Sequence, residues 1–402
     1  MKTVKFLTVG CKVNQYDTQV IREQFLNLGF KELENHLPAG TYVINTCTVT
    51  HRADSDSLNL IRRAKRENPR AKIIVTGCLT ELDKDKIKKV DSEVVIVKKK
   101  INGISYFKGH TRAFLKIQDG CNNSCSYCKV FLVRGRSQSR PLEQILPEAV
   151  NLVKNGFKEI VLSGICLGSY GKDLEPKISL VDVINALENI GALLRIRLSS
   201  IEAGDVSEEL IHKIAQSKKV CRHLHIPIQS GDDEILKRMN RNYCRREYLN
   251  LIQRIKKQIP QIAVTTDVLV GFPGETEIHF QNTLDLVKEI CPLKVHIFPY
   301  SRRKGTPAAD NFQDEVNPVV IKERILRLKN IARNCALIYK KQFLNQKMEV
   351  LIEGRSKENP DFWLGFTDNY IQVRIESEKD LKNQLITLQL KKINKDCMIG
   401  EL

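Results

Sequence analysis

The chain of 402 residues has no run of about 18 uncharged apolar residues, the length a membrane-spanning helix needs, so no span is expected. It has no low-complexity tract and no collagen-like period; at 42% hydrophobic and 28% charged residues its composition is globular. A secretion signal is missing too. The apolar stretch near the start, Phe6 to Val9, is shorter than the ~7 residues such a signal requires and reads as a first strand. Twelve cysteines are too few for a disulfide-dense scaffold and more than core filling alone would use. These absences point to a cytoplasmic protein whose thiols serve metal or redox chemistry. A single compact core is also excluded, because a chain of this length divides into two or three domains. Acidic residues are the scarcer charge: 47 Asp and Glu against 65 Lys and Arg give a net charge of +18. That excess favours a polyanionic partner, nucleic acid rather than membrane, because no basic amphipathic helix with exposed aromatics stands out.

What is present centres on Asp119-Gly-Cys-Asn-Asn-Ser-Cys-Ser-Tyr-Cys128. Cys121, Cys125 and Cys128 form a C-x3-C-x2-C triplet on one loop. Three thiolates in that spacing suit an iron–sulfur cluster, in which four irons on three protein ligands leave one iron open. A zinc loop is the alternative, but it needs a fourth Cys or His at short spacing, and none follows in the next thirty residues. Cys166, Cys221, Cys244, Cys291, Cys335 and Cys397 fall in apolar or helical contexts and read as small core hydrophobes.

Residues 1–100 alternate strand and helix. Strands are expected at 5–9, 41–44, 72–75 and 93–97, with helices at 14–28 and 55–66, a pattern that predicts an open parallel sheet covered by helices. A cysteine follows each of the first three strands, at Cys11, Cys47 and Cys78. Parallel strands place their carboxyl ends along one edge, so thiols 36 and 31 residues apart in sequence are expected to meet there. Gly10 and Gly77 beside two of them permit close backbone approach. Asn14 and Asn45 flank the site, either to hydrogen-bond sulfur or to serve as a helix cap and a turn residue. The basic, Gly-broken segment from Lys98 to His110 reads as a linker.

From 111 to about 310 the rhythm continues with six candidate strands, at 113–117, 159–162, 194–198, 222–228, 262–270 and 294–298. Six parallel strands suggest a partial barrel with its chemistry at their carboxyl ends. Small and polar residues recur there: Ser163-Gly164, Ser199-Ser200-Ile-Glu202, Gln229-Ser230-Gly231 and Gly271-Phe-Pro-Gly-Glu275. They suit a nucleoside-like cofactor, with Glu202 placed for a ribose hydroxyl. His223 and His225 stand two residues apart on one strand and read as core or substrate-lining residues. Arg134, Arg136 and Arg140 follow the triplet and suit phosphate or carboxylate recognition. Residues 321–347 hold eight Lys/Arg against one Glu on an otherwise amphipathic helix. The last ~55 residues alternate as four or five short strands and suggest a small β-barrel. There Trp363, Phe366 and Tyr370, with Arg374 and Lys391, are either an RNA surface or an inert packing core.

The triplet, with Tyr127 before its last cysteine, resembles the radical S-adenosylmethionine (SAM) signature. Gly10-Cys-Lys-Val-Asn-Gln-Tyr-Asp17, Asn45-Thr-Cys-Thr-Val-Thr50 and Val75-Thr-Gly-Cys78 resemble the amino-terminal domain of the methylthiotransferases within that family. The segments 195–202, 223–233 and 270–276 resemble their core motifs, closest to the branch acting on threonylcarbamoyladenosine in tRNA, and Asp368-Asn-Tyr-Ile-Gln-Val373 resembles a TRAM domain. The resemblance implies three domains: an amino-terminal α/β domain at 1–100, a radical SAM core with a trailing basic helix at 111–340, and an RNA-binding TRAM-like barrel at 343–402.

The same resemblance implies two [4Fe-4S] clusters. One sits on Cys121, Cys125 and Cys128 and cleaves SAM to a 5′-deoxyadenosyl radical. The other, auxiliary cluster sits on Cys11, Cys47 and Cys78 and holds the sulfur. Tyr127, Ser163, Gly164, Ser200, Glu202 and Gln229 are implied as cofactor contacts. Two equivalents of SAM per turnover and a donor such as a flavodoxin or ferredoxin are implied as well. The expected reaction is insertion of a methylthio group at adenine C2 of N6-threonylcarbamoyladenosine, next to the anticodon. Methylthiotransferases of isopentenyladenosine tRNA or of a ribosomal-protein aspartate are the competing branches. A non-enzymatic RNA-binding iron–sulfur carrier and a zinc-stabilised RNA module are the competing classes. The residues at 131–132 depart from the family's usual Pro, and Ala203 stands where Pro is frequent, which puts loop shape in question rather than reaction class.

Overall fold

The computed structural model describes residues 2–34, 37–98, 103–395 and 397–402. The expected linker lies partly outside them, at Lys99–Asn102.

Five parallel strands form the amino-terminal sheet, in the order Lys31–Glu32, Thr3–Thr8, Thr41–Thr46, Lys72–Gly77, Val95–Ile96. The two-residue edge strand at Lys31–Glu32 was not foreseen, being too short to show any alternation. Alternation along the central strands divides the apolar residues between two faces. Tyr42, Ile44, Ile73 and Val75 pack under the helix His51–Glu67 through Leu58 and Ile61. Val4, Phe6, Val43 and Ile74 meet Ile21 and Phe25 of the helix Lys12–Asn27.

Six further parallel strands follow, paired as two sets of three: Arg112–Lys116, Glu159–Ser163 and Arg195–Leu198, then His223–His225, Ala263–Val270 and Lys294–Pro299. Bridges between Ile196 and Val220 and between Ser200 and His225 join the sets into one partial barrel. Tyr16 and Val20 of the helix Lys12–Asn27 belong to the same buried core as the barrel strands, so this helix serves both the first sheet and the barrel. Its Asp17 accepts an ion pair from Lys116 at 2.5 Å.

The carboxyl-terminal strands close into a five-stranded barrel in the order Lys347–Arg355, Phe362–Thr367, Gln372–Glu376, Cys397–Glu401, Leu385–Asn394. It docks at the amino-terminal ends of the six-stranded barrel, where buried arginines satisfy its backbone carbonyls. Arg195 donates to Phe366 O (3.0 Å) and Glu349 O (2.8 Å), and Arg197 to Asp368 O (2.9 Å) and Thr367 O (3.1 Å).

Of the two roles open for these aromatics, packing is the one that Tyr370 and Trp363 take. Tyr370 stacks on His223 (4.4 Å between centroids) and on Phe366 (5.1 Å), facing inward. Trp363 is 5% exposed and its indole N–H donates to Ser377 O at 3.1 Å. Arg374 is spent on Ser356 and Glu358. No helix among the described residues is long and apolar enough to cross a membrane.

Candidate active site

Cys11, Cys47 and Cys78 lie together at the carboxyl edge of the first sheet. Cys11 occupies the N-cap of the helix Lys12–Asn27, yet its thiol makes no capping hydrogen bond. A Cβ added to Gly10, at φ +119°, would stand 3.1 Å from Cys47 Cβ and 2.6 Å from Asn14 Nδ2. One added to Gly77, at φ +105°, would meet Thr46 O at 2.3 Å. Gly10 is therefore required by the helix residue Asn14 and by Cys47, and Gly77 by the neighbouring strand. Burial, and then the facing Cys78 and Cys11, push the Cys47 thiol up to about 11. Asn14 is fully buried; its amide donates to Val9 O (2.8 Å) and Thr46 O (3.1 Å), and its oxygen faces Cys78 Sγ at 4.0 Å. Asn45 instead braces the helix, donating to Asn14 O at 2.8 Å. Of the two roles open for each asparagine, Asn14 thus touches sulfur and Asn45 holds backbone.

The triplet follows the first barrel strand at the mouth. Ser126 anchors the loop through Met239 O (3.0 Å) and Arg238 O (2.7 Å). Each sulfur meets a donor from the surrounding chain: the Asn123 N–H reaches Cys121 (3.4 Å), the Val130 N–H reaches Cys128 (3.4 Å), and Arg241 reaches Cys125 (3.2 Å). Three sulfurs ringed by donors fit thiolate ligation of an iron–sulfur cluster.

Two functional neighbours were not foreseen. Arg241, which pairs with Glu202, stands 113 residues beyond Cys128 in an unremarked Met239-Asn-Arg-Asn242 turn. Cys166, read as a core hydrophobe, is indeed buried, but its thiol lies between Cys121 and Asp205 Oδ2 (3.5 Å). Hydrogen bonding to Cys166 brings Cys121 down to about 7, whereas burial pushes Cys128 up to about 12. A fourth thiol thus approaches the triplet from the next βα loop, a proximity that sequence spacing hides.

The six expected cofactor contacts are distributed unevenly around the mouth. Glu202 lines a cavity of about 260 Å³ with Cys125, Asn123, Asp205, Arg241 and Tyr243. Gly164 is held against Gln118, whose side-chain oxygen would lie 2.8 Å from an added Cβ. Ser200 bridges to His225 across the two strand sets. Gln229 sits at φ +65° and pairs by backbone with Asp267 and Leu269. Tyr127 packs edge-on against Phe272 at 6.4 Å. Ser163 is fully buried and donates back to Val161 O at 3.1 Å. The residues at 131–132 lie within a short helix, Val130–Arg134, and Ala203 opens a single 3-10 turn, Ala203–Asp205.

Two of the three loop arginines are structural rather than ligand-facing. Arg134 pairs with both oxygens of Asp119 (2.8 and 2.9 Å) and with Asp17 (3.5 Å). Arg140 pairs with Glu148 at 2.6 Å and donates to Tyr16 at 3.0 Å. Only Arg136 of the three is exposed.

Below the mouth, the barrel lumen is polar. His225 Nε2 meets Asp267 Oδ1 at 3.2 Å, and its Nδ1 meets Thr265 at 2.8 Å. One ligand atom each from His225, Asp267 and His296 lies within 4.8 Å of the others. Lys12, next to Cys11, extends over the Phe114 ring (5.9 Å), and burial lowers its pKa from the ordinary lysine range.

Comparison with known proteins supplies a family. Residues 115–287 match the radical SAM superfamily, and residues 3–98 match the uncharacterized protein family UPF0004. A Bacillus subtilis protein named threonylcarbamoyladenosine tRNA methylthiotransferase MtaB is 38% identical, across 98% of this chain and 94% of that protein. The Chlamydia pneumoniae protein of the same name is 36% identical, across 100% and 98%. A Clostridium tetani protein named tRNA-2-methylthio-N(6)-dimethylallyladenosine synthase is 34% identical, across 98% and 95%. Among solved structures, the Kitasatospora setae radical SAM methyltransferase TsrM, with cobalamin and a [4Fe-4S] cluster bound, superposes with a TM-score of 0.56. It covers 77% of each chain at 13% identity, a likeness of fold.

Proposed function

The chain belongs to the radical SAM tRNA methylthiotransferases, and from that premise we propose that it methylthiolates adenine C2 of N6-threonylcarbamoyladenosine beside the tRNA anticodon. The observation that carries this reading is the gathering of Cys11, Cys47 and Cys78 at one sheet edge, joined to the triplet loop through Asn14, Arg134 and Asp119. Relatives named for this nucleoside, 38% and 36% identical over nearly the whole chain, support the substrate.

In this reading Cys121, Cys125 and Cys128 hold one [4Fe-4S] cluster, and Cys11, Cys47 and Cys78 hold a second. When bound, the clusters and SAM supply the one-electron chemistry that opens an unactivated C–H bond, which acid–base groups cannot do. The protein's own residues position and shield. Arg241 donates to Cys125 and fixes Glu202 at the cavity wall, where its second carboxylate oxygen would accept from a ribose hydroxyl of bound SAM. Gly164 makes room for the Gln118 side chain beneath the mouth, and Tyr127, Ser200 and Gln229 complete the rim. A reduced flavodoxin- or ferredoxin-like donor and two SAM per turnover complete the proposal.

The test uses anaerobically reconstituted protein. About eight irons per chain are expected, falling to about four when either trio is replaced by alanine. Replacing Cys121, Cys125 or Cys128 should abolish SAM cleavage; replacing Cys11, Cys47 or Cys78 should spare cleavage and stop sulfur insertion. Equal loss of both activities from both trios contradicts the division of roles. Nucleosides from a strain without the gene check the substrate: loss of the methylthio group from isopentenyladenosine instead would overturn it.

A further inference from the structure

We propose that the inner part of the six-stranded barrel is a cup for an anionic substituent on the substrate adenine, with Lys12 as the cation that receives its carboxylate. The inference rests on the threonylcarbamoyl reading and adds the residues that select that group.

Lys12 opens the helix Lys12–Asn27 directly after Cys11, but its side chain leaves the sheet edge. Its ammonium stands 5.9 Å from the ring centroid of Phe114, on the first barrel strand. Phe114 shares a face of that strand with Arg112, two residues earlier. Arg112 and Arg197 stand over the Tyr370 ring at 5.8 and 5.0 Å, and Tyr370 stacks on His223 at 4.4 Å. Side chains of the first, third and fourth barrel strands thus converge on the face that Lys12 covers, inside the ring of strands.

The other cations here already have carboxylates. Arg112 pairs with Glu353 at 2.5 Å and with Glu159 at 3.8 Å, and Arg197 pairs with Glu159 at 2.6 Å. Among the described residues Lys12 makes no hydrogen bond and no ion pair. Lys12 is half-buried, so its unpaired ammonium is partly desolvated at a cost that an incoming carboxylate relieves.

The facing wall offers the complementary chemistry. Thr265 Oγ1 meets His223 Nε2 (2.9 Å) and His225 Nδ1 (2.8 Å), fixing both rings. His225 Nε2 then meets Asp267 Oδ1 at 3.2 Å. Among the described residues the second oxygen of Asp267 meets no donor, and His296 stands edge-on to His225 at 5.6 Å. A threonylcarbamoyl group brings a carboxylate for Lys12, and N–H and O–H donors for Asp267. A dimethylallyl group brings neither and would leave both residues unpaired. Because Lys12 adjoins Cys11, a substituent held there also draws the adenine toward the sheet-edge thiols.

The test is binding, without SAM, of two anticodon stem-loop RNAs to the reconstituted enzyme. One carries threonylcarbamoyladenosine and the other its uncharged methyl ester. The wild type should prefer the acid by about tenfold or more, as one charge-assisted pair implies. Lys12→Met should bind both RNAs alike, and Lys12→Arg should keep the preference. Asp267→Asn should weaken both RNAs together and leave their ratio unchanged. Each ratio compares two RNAs on one preparation, so partial loss of iron does not move it. A wild type that methylthiolates the acid RNA but binds acid and ester equally overturns the cup and leaves the substrate reading standing. So does a Lys12→Met variant that keeps the preference. A wild type that never turns over the acid RNA overturns the substrate reading, and the cup with it.

Discussion

Arg134, five residues after the last triplet-loop cysteine's neighbour Lys129, donates to the side-chain oxygen of Asn14, the same atom that faces Cys78. One buried guanidinium thus spans from the loop of one cysteine trio to the edge of the other, while holding Asp119 and Asp17. Replacing it with Met leaves those carboxylates without their cation, which is costly when the site is buried. Arg134→Met is expected to cost about 3 kcal/mol, less whatever Lys116 recovers through Asp17. A thermal melt should move down by several degrees, and iron retained by Cys11, Cys47 and Cys78 should fall first. An unchanged melting temperature would show that the bridge is incidental.

The Arg241 contact to Cys125 bears on reduction. A hydrogen bond to a ligand sulfur stabilises the more negatively charged, reduced cluster. Arg241→Met should therefore make the loop cluster harder to reduce, by about 60 mV if ~1.4 kcal/mol of preferential stabilisation is lost. Redox titration followed by electron paramagnetic resonance measures this directly. A potential that stays put would reduce Arg241 to a partner of Glu202 alone.

Much of this arrangement was legible in the sequence because it rests on period and spacing. The alternation Thr3–Thr8, Thr41–Thr46, Lys72–Gly77 placed the sheet edge, and with it the meeting of Cys11, Cys47 and Cys78. What stayed hidden depends on which surface another element covers. Tyr370 carries the look of an RNA-stacking residue, but its position over His223 follows from docking between two barrels, which no local pattern encodes. Arg134 and Arg140 likewise appear free until Asp119 and Glu148 are placed beside them. Cys166 lies 45 residues from Cys121, and only the winding of consecutive βα units brings the two thiols together.

Acid should loosen the first sheet through Glu67. Burial by itself would raise this carboxyl, but Lys5 (2.8 Å), Arg63 (2.7 Å) and Tyr42 (2.9 Å) hold it down to about 2. A folded-state pKa below the unfolded value contributes stability that is complete above the unfolded pKa, near 4.5, and is lost as pH falls toward 2. The group is partly open to solvent, so about 1 kcal/mol is expected after screening. Denaturant melts of cluster-free protein between pH 5 and pH 3 should show this loss, and Glu67→Gln should flatten that limb. A variant with the wild-type acid slope would place the sensitivity elsewhere.

Gly77 gives the sharpest test of the crowded sheet edge, because Gly29 supplies its control. Both take positive φ, +105° at Gly77 and +80° at Gly29, so alanine strains the backbone at either position. Nothing lies within 4 Å of a Cβ added at Gly29, whereas one at Gly77 meets Thr46 O at 2.3 Å and Asn45 Oδ1 at 2.5 Å. Gly29→Ala should therefore cost about 1 kcal/mol, from conformation alone. Gly77→Ala adds a clash with a neighbouring strand that cannot move without shifting Cys47, and should cost about 3 kcal/mol. The shift should also spread Cys47 and Cys78, so iron content should drop toward the complement of the triplet loop while SAM cleavage persists. If the two alanine variants melt together and keep equal iron, the edge has room to spare, and the close approach of Cys11, Cys47 and Cys78 does not depend on Gly77.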